Sequence, residues 1–585
     1  MKNLALMLFV ISLIGGTFTS CSKKEIEKVK TLHLYVSTQV KGMDPIFADD
    51  RYSSNEVGRV YEGLLEYHYL MRPYTLVPNL AEKLPEVSKD GLTYTFSIKK
   101  GVLFHDDKCF PNGTGRELIA EDFVYSLKRL ADPKLQSSGW WILDGKIKGL
   151  NEWREKNTGK PSVDYAEEVE GLKALDRYNL QFKLTRPYPQ FLYALAMSFA
   201  FAVPREAVEH YGPAFLNHPV GTGAFILPEF KQTNKIVYVK NTKFRNKTYP
   251  TDASDELKNL LEDAGKPLPL VDKIEVEIVI ESQPAWLNFQ KGNSDYMGVP
   301  KDNFASAIQG NTLSDDLKAK GIELIVEPSL DVTYVAFNHD SELFKNKKLR
   351  QAMYLAQDIV KQNELFYNNT GLPAESIVPP GISGHIKMYK NPFRGPDLEK
   401  AKKLLAEAGY PEGKGLPEIT YDCPSSTVSR QIGEHFKQEM AKVGINIKVV
   451  QNPWPELQSK VQKRTIMTYG MAWGADYPDA ENFLQLLYGP NRSPGPNGSG
   501  YNNPEFNQLY KSSSMMQDSP ERTALYEKMY RIAAEDVPMM YGVHRQSYVV
   551  KHGWLRNYIS TDFEVGQAQY LNVDQEKKKS LIGKL

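Results

Sequence analysis

The chain has 585 residues, with 72 basic and 71 acidic side chains and a formal net charge of +1. Charges this evenly balanced exclude an extended nucleic-acid-binding surface. The content of 41% hydrophobic and 11% aromatic residues supplies a large core, and a chain of this length divides into two or more lobes.

The N-terminus reads as a targeting segment. Lys2 precedes Leu4 to Ile14, an apolar run broken only by Ser12 and too short to span a bilayer as a fixed helix. Gly15-Gly16-Thr17-Phe18-Thr19-Ser20 then leads to Cys21 and the polar run Ser22 to Lys28. This resembles a bacterial lipoprotein signal, with Phe18 where Leu is usual. The resemblance implies a signal peptide over 1–20, lipid on Cys21 and a tether over 21–30; an ordinary secretory signal cleaved near Ser20 is the alternative. No second long apolar stretch follows, so the body is expected to be soluble. Cys109 and Cys423 are either a disulfide pair or two isolated thiols.

Strands and helices alternate along the body. Residues 31–38 predict an opening strand, and Asn55 to Tyr67 a helix with Val57, Val60, Leu64 and Leu65 on one face. A strand over 92–98 and a helix over 120–130 follow, the helix with Phe123, Leu127 and Leu130 at core spacing. Further strands are predicted at 180–184, 236–239 and 274–280, with a polar surface insertion over 250–269. The second half predicts a strand at 334–338, a helix at 349–359 and a helix at 398–408 capped by Asp397 and ended by Gly409. Strands at 418–421 and 445–450 enclose a helix ended by Gly444. Two helices close the pattern, at 504–516 and 520–535. Such alternation means an α/β architecture with covered sheets.

Motifs for catalysis are missing. There is no phosphate-cradling Gly-x-x-x-x-Gly-Lys-Ser/Thr, no Gly-x-Ser-x-Gly elbow, and no two of the ten histidines stand at metal-ligand spacing. The chemistry concentrates instead in Trp473-Gly474-Ala475-Asp476-Tyr477-Pro478-Asp479. Gly474 and Ala475 let another molecule approach the backbone, and Trp473 and Tyr477 offer apolar faces with polar tips. A carboxylate in that frame needs a positive partner or a raised pKa. The plainer reading makes Asp476 a helix cap.

Several segments, in order, resemble the solute-binding proteins of peptide and nickel ABC transporters, extracytoplasmic family 5. They are Met43-Asp44-Pro45 with Val60 to Leu65; Val77 to Glu82, Leu92 to Phe96, Lys100 to Phe104 and Ala120 to Ser126; Pro219 to Phe225; Phe337-Asn338 with Leu349 to Ala352; Ala401 to Tyr410; and Trp473 to Asp479. The set spans about residues 31–560, and the pattern is most similar to the oligopeptide-binding members. The resemblance implies a bilobal class II periplasmic-binding-protein fold of α/β type with an extra domain on the first lobe. Lobe I would take 31–66, 171–281 and 541–585, the extra domain 67–170, and lobe II 282–540.

The function so implied is that of a lipid-anchored receptor, a monomer in the periplasm or cell envelope. It would bind oligopeptides between its lobes and deliver them to the permease of an ABC importer. It would be no enzyme and would need no cofactor or metal. Asp476 would hold the ligand's α-ammonium, with ligand backbone pairing near Gly474. Trp140 or Trp141 would face the ligand, and Asp49, Asp50 and Tyr52 would reach the cleft from the first lobe. Trp473, Ala475, Tyr477, Asn338, Tyr501 and Tyr541 complete the candidate set. One departure is plain: the positions before Trp473 are Tyr469, Gly470 and Met471, and the nearest basic residues are Lys463 and Arg464. The basic residue that can hold a ligand carboxylate there is absent. Alternatives are the same fold with a nickel chelate, heme or an oligosaccharide, and, from another class, a hydrolase or a structural surface lipoprotein.

Overall fold

The computed structural model describes residues 29–228, 230–231, 234–310, 312–561, 563 and 565–585. The expected leader, Cys21 and most of the tether lie outside the described residues. The tether's last residue, Lys30, is already tied down, its backbone N–H donating to Asp272 Oδ2 at 3.0 Å.

The first lobe is built on a five-stranded sheet. Thr31–Val36 runs parallel to Lys273–Ile278, which pairs antiparallel with Lys235–Lys240. Alternation explains the inward face: Leu32, Leu34, Ile236, Tyr238, Ile274 and Val276 are all buried. A second, four-stranded sheet (Glu86–Val87, Thr93–Ser97, Asn179–Lys183, Leu172–Ala174) carries the helix Ala120–Ala131, whose Phe123, Leu127 and Leu130 are fully buried. One continuous hydrophobic core joins both sheets. The strands at 172–183 therefore belong with 86–97 in the small sheet, not with the first-lobe sheet as expected.

The second lobe is a mixed five-stranded sheet in the order Ile447–Asn452, Ile419–Pro424, Thr468–Gly474, Asp331–Phe337, Met539–Tyr541. The helix Leu398–Glu407 begins as its sequence dictates, with Asp397 Oδ1 accepting from Lys400 N at 3.0 Å, and Gly409 takes the left-handed φ of 97° just beyond its end. This lobe has its own core, which starts at Leu330.

Two further boundaries move. Residues 282–328 were expected in the second lobe. Their strands Tyr296–Gly298 and Ile322–Pro328 instead pair with Gln546–His552 and enclose a small separate core. Partners more than 200 positions apart leave no local pattern to read. Tyr541, expected in the first lobe, pairs with Tyr334 in the second-lobe sheet. The helix expected over Asn55–Tyr67 is Arg51–Val60, started by the Asp50 cap, and Leu65–Tyr67 is a strand. Gly63 lies between them, where an added Cβ would meet the Phe201 ring at 2.9 Å.

The chain passes between lobes at Ser329–Leu330 and Gly542–Arg545, side by side. Ser329 N–H donates to Arg545 O at 3.0 Å, and Arg545 N–H donates to Asp331 Oδ1 at 3.1 Å. The Arg545 guanidinium closes on Asp331 Oδ2 at 2.7 Å. Two adjacent extended crossings joined by one ion pair make a hinge that absorbs φ/ψ change while keeping its ends together.

Candidate functional site

A cavity of about 890 Å³ opens where the two sheets face each other, lined from both lobes. That size suits a ligand of short-peptide dimensions. Its second-lobe wall is the end of the strand Thr468–Gly474. The neighbouring strand Ile419–Pro424 pairs with it only at Thr468 and Tyr469, then diverges. Among the described residues that edge is unpaired from Gly470 to Gly474, while the other edge remains bonded to Asp331–Phe337. Gly470 is forced by packing, since an added Cβ would lie 2.0 Å from Tyr421 Oη. Nothing lies within 4 Å of a Cβ placed on Gly474, so the backbone there is open to a second chain.

Asp476 follows this strand and faces the cavity. It caps no helix. Asn482 holds it in a ring: Asn482 Oδ1 accepts from Asp476 N at 2.9 Å, and Asn482 Nδ2 donates to Asp476 Oδ2 at 2.8 Å. The same Asn482 Oδ1 accepts from Trp473 Nε1 at 3.1 Å, fixing the indole beside the carboxylate. Burial pushes the Asp476 carboxyl up to about 6, and the Asn482 hydrogen bond only partly offsets that. The acid beside a helix start is Asp479, whose Oδ1 accepts from Glu481 N at 2.8 Å, one residue before the N-cap Ala480 of the helix Glu481–Leu484.

The first-lobe wall brings Asp49, Asp50, Tyr52 and Trp141 to the same cavity. Asp49 spans the lobes. It pairs with Lys41 at 2.5 Å and accepts from Gln458 Nε2 at 3.3 Å and Gln462 Nε2 at 3.1 Å, both on the second-lobe helix Trp454–Lys463. Tyr52 meets Trp454 edge-on, ring centroids 6.5 Å apart. Asp50 is buried as the cap of Arg51–Val60, accepting from Ser53 N at 2.9 Å, and desolvation raises its pKa.

Of the residues expected at the site, Asp476, Trp473, Gly474, Ala475, Trp141, Asp49, Asp50 and Tyr52 line the cavity together. Five do not. Trp140 turns away, with the Arg154 guanidinium 5.0 Å above its ring. Asn338 is buried and donates to Arg464 O at 2.9 Å and Ile466 O at 2.8 Å, closing a loop. Tyr501 donates to Asp536 at 2.6 Å, and Tyr541 is a buried sheet residue whose carbonyl accepts from Tyr354. Tyr477 leaves its own lobe and is wholly buried in the first core, stacked on Tyr193 at 5.8 Å. It pins the lobes together and does not face the cavity.

Arg545 escaped the sequence reading, as did Asn482. Arg545 lines the cavity from the hinge. It stands between two strands in a polar run at 544–547, with no signal that the guanidinium faces a cleft. Among the described lining residues the acids are Asp49, Asp50, Asp331 and Asp476 and the bases Arg51 and Arg545. Asp49 is neutralised by Lys41 and Asp331 by Arg545. Arg464, one of the two basic residues nearest Trp473, is paired with Asp340 at 2.6 Å and lies outside the lining. Cys109 and Cys423 are both free thiols. Among the described residues no group of three or more His, Cys, Asp or Glu could hold a metal ion.

Two lobes, a double crossing and a cavity between them define a solute receptor of the binding-protein class. Residues 75–495 match the model of the bacterial extracellular solute-binding proteins, family 5. The chain belongs to that family. Its members are binding proteins and not enzymes. The chain is 26% identical to heme-binding protein A of Haemophilus influenzae, over 88% of this chain and 87% of that protein. It is 27% identical to the dipeptide-binding protein of Escherichia coli, over 86% of each. The structure superposes on the ABC transporter-associated periplasmic binding protein DppA of Helicobacter pylori, in complex with the peptide STSA. There the TM-score is 0.77 and the identity 24%, with coverage of 93% of this chain and 98% of that one.

Proposed function

We propose that the protein is a lipid-anchored receptor that captures oligopeptides in the inter-lobe cavity and hands them to the permease of an ABC importer. The observation that carries this reading is the pairing of an unpaired strand edge at Gly470–Gly474 with the Asp476 carboxylate at its end. The edge suits the ligand's main chain, and the carboxylate suits its terminal ammonium. Acids outnumber bases in the lining, which favours a ligand that brings positive charge. Trp141, Trp473 and Tyr52 provide aromatic walls for side chains, and roomy, wet pockets accommodate varied sequences. In this account Cys21 carries the lipid, the receptor works as a monomer in the periplasm or cell envelope, and tethering keeps it at high effective concentration near its permease.

Heme is the second reading, because a heme-binding relative matches the chain as well as the dipeptide-binding one does. Against it, no histidine is among the described lining residues. Isothermal calorimetry with tri- to pentapeptides and with hemin tests the choice. The proposal expects peptide binding that weakens in Asp476→Asn. Hemin binding without peptide binding would overturn it.

A further inference from the structure

A second cavity, of about 610 Å³, lies on the first lobe and shares no lining residue with the inter-lobe cavity. Four cations line it: Lys99, Lys100, Arg245 and Lys247, against Glu66 and Glu82. The nearby carboxylates are already committed. Glu62 accepts from Arg245 Nη1 at 2.6 Å and from Thr222 at 3.0 Å, and Glu66 from Lys247 Nζ at 2.6 Å.

Asn79 ties the cations into one cluster. Its side-chain oxygen accepts from the Arg245 guanidinium and from Lys247 Nζ at 3.3 Å, and its carbonyl accepts from Lys99 Nζ at 2.7 Å. Among the described residues that carbonyl is the only hydrogen-bond partner of the Lys99 ammonium, and no ion pair includes it. Desolvation, then the charges of Arg245 and Lys247, lower the pKa of Lys99. Three ammonium and guanidinium groups held around one amide, one of them without a counter-ion, form a positive pocket that an anion would neutralise. The wall beside Lys247 is aromatic, with the Tyr570 ring 5.5 Å from Lys247 Nζ and stacked on Tyr69 at 4.3 Å. The volume exceeds what a bare inorganic ion needs.

We propose that this cavity is a second ligand site, which takes an organic anion through a carboxylate or phosphate group held by Lys99, Arg245 and Lys247. It is independent of the peptide reading of the inter-lobe cavity. The test is calorimetric titration of the full chain with citrate and, separately, with inorganic phosphate, at constant ionic strength set by sodium chloride. Saturable one-to-one binding of at least one probe is expected, and which probe binds tighter separates a carboxylate from a phosphate site. Lys99→Gln should weaken that binding roughly tenfold or more, the loss of one charge-assisted bond. Asp476→Asn should leave it unchanged. Lys100→Glu, an exposed change at the cavity mouth that spares the fold, should weaken it several-fold. No saturable binding of either probe, or an unchanged affinity in Lys100→Glu or in folded Lys99→Gln, would overturn the proposal.

Discussion

Asn482 grips Asp476 from two sides, accepting from its backbone N–H at 2.9 Å and donating to its Oδ2 at 2.8 Å. One amide thus sets where the carboxylate stands and leaves its second oxygen for another donor. The same amide orients Trp473 through a 3.1 Å bond from the indole N–H. Asn482→Ala removes all three constraints. We expect peptide affinity to fall by about 1–2 kcal/mol, roughly five- to thirtyfold, with the fold retained. Calorimetry beside a thermal melt separates the two effects.

The pH dependence of binding follows from the Asp476 pKa. In the free protein burial raises it to about 6, above the ordinary carboxylate value. The ammonium of a ligand binds only the ionised form. Affinity should therefore be level above about pH 7 and fall towards tenfold per pH unit below about 6. In Asp476→Asn this segment of the profile should be flat. Stability has the opposite sign. The ionised carboxylate is disfavoured in the folded state, so the penalty sets in as pH rises through the unfolded value and is complete above about 6. Ligand-free Asp476→Asn should melt higher than the parent at pH 7.5, a gain in stability at the expense of function.

Gln190 and Asp479 join the lobes. Gln190 Nε2 donates to Asp479 Oδ2 at 3.1 Å, and Asp479 is held in turn by Arg522 at 2.6 and 3.1 Å and by Tyr526 at 3.1 Å. Gln190→Ala should loosen this contact between the lobes, with affinity down several-fold through a faster off-rate in stopped-flow measurements. Arg522→Met strands a buried carboxylate and should cost about 3–5 kcal/mol of stability by denaturant titration.

The adjacent tryptophans separate cleanly. Trp141 lines the cavity, while Trp140 lies beneath Arg154. Trp141→Ala should weaken peptide binding by about 1–3 kcal/mol, as loss of an aromatic wall does. Trp140→Ala should leave affinity unchanged and lower only the melting temperature.

The sequence made the α/β class legible because its periods are local. Alternation at 31–36 and the apolar stripe of 398–407, with Asp397 before it and Gly409 after, appear in the structure where they were expected. Lobe boundaries depend on strand partners far apart, and so 172–183 and 296–328 went to the wrong sheets. At the site, Asp476 stood out as a charge framed by small and aromatic residues. Its positioner Asn482 gave no signal, since an Asn six residues later has many uses. Tyr477 and Trp140 lie away from the cavity, and a short motif does not reveal which neighbour faces it. Arg545 emerged only when the fold brought the hinge to the cavity.

The central claim is that Asp476 holds a ligand's terminal ammonium. A double-mutant cycle by calorimetry tests it most directly, pairing the parent and Asp476→Asn with one tripeptide and its N-acetylated form. The account predicts that acetylation costs the parent about 2–5 kcal/mol, thirtyfold or more, and costs Asp476→Asn almost nothing. Equal binding of both peptides by the parent, or an equal loss on acetylation in both proteins, would contradict it.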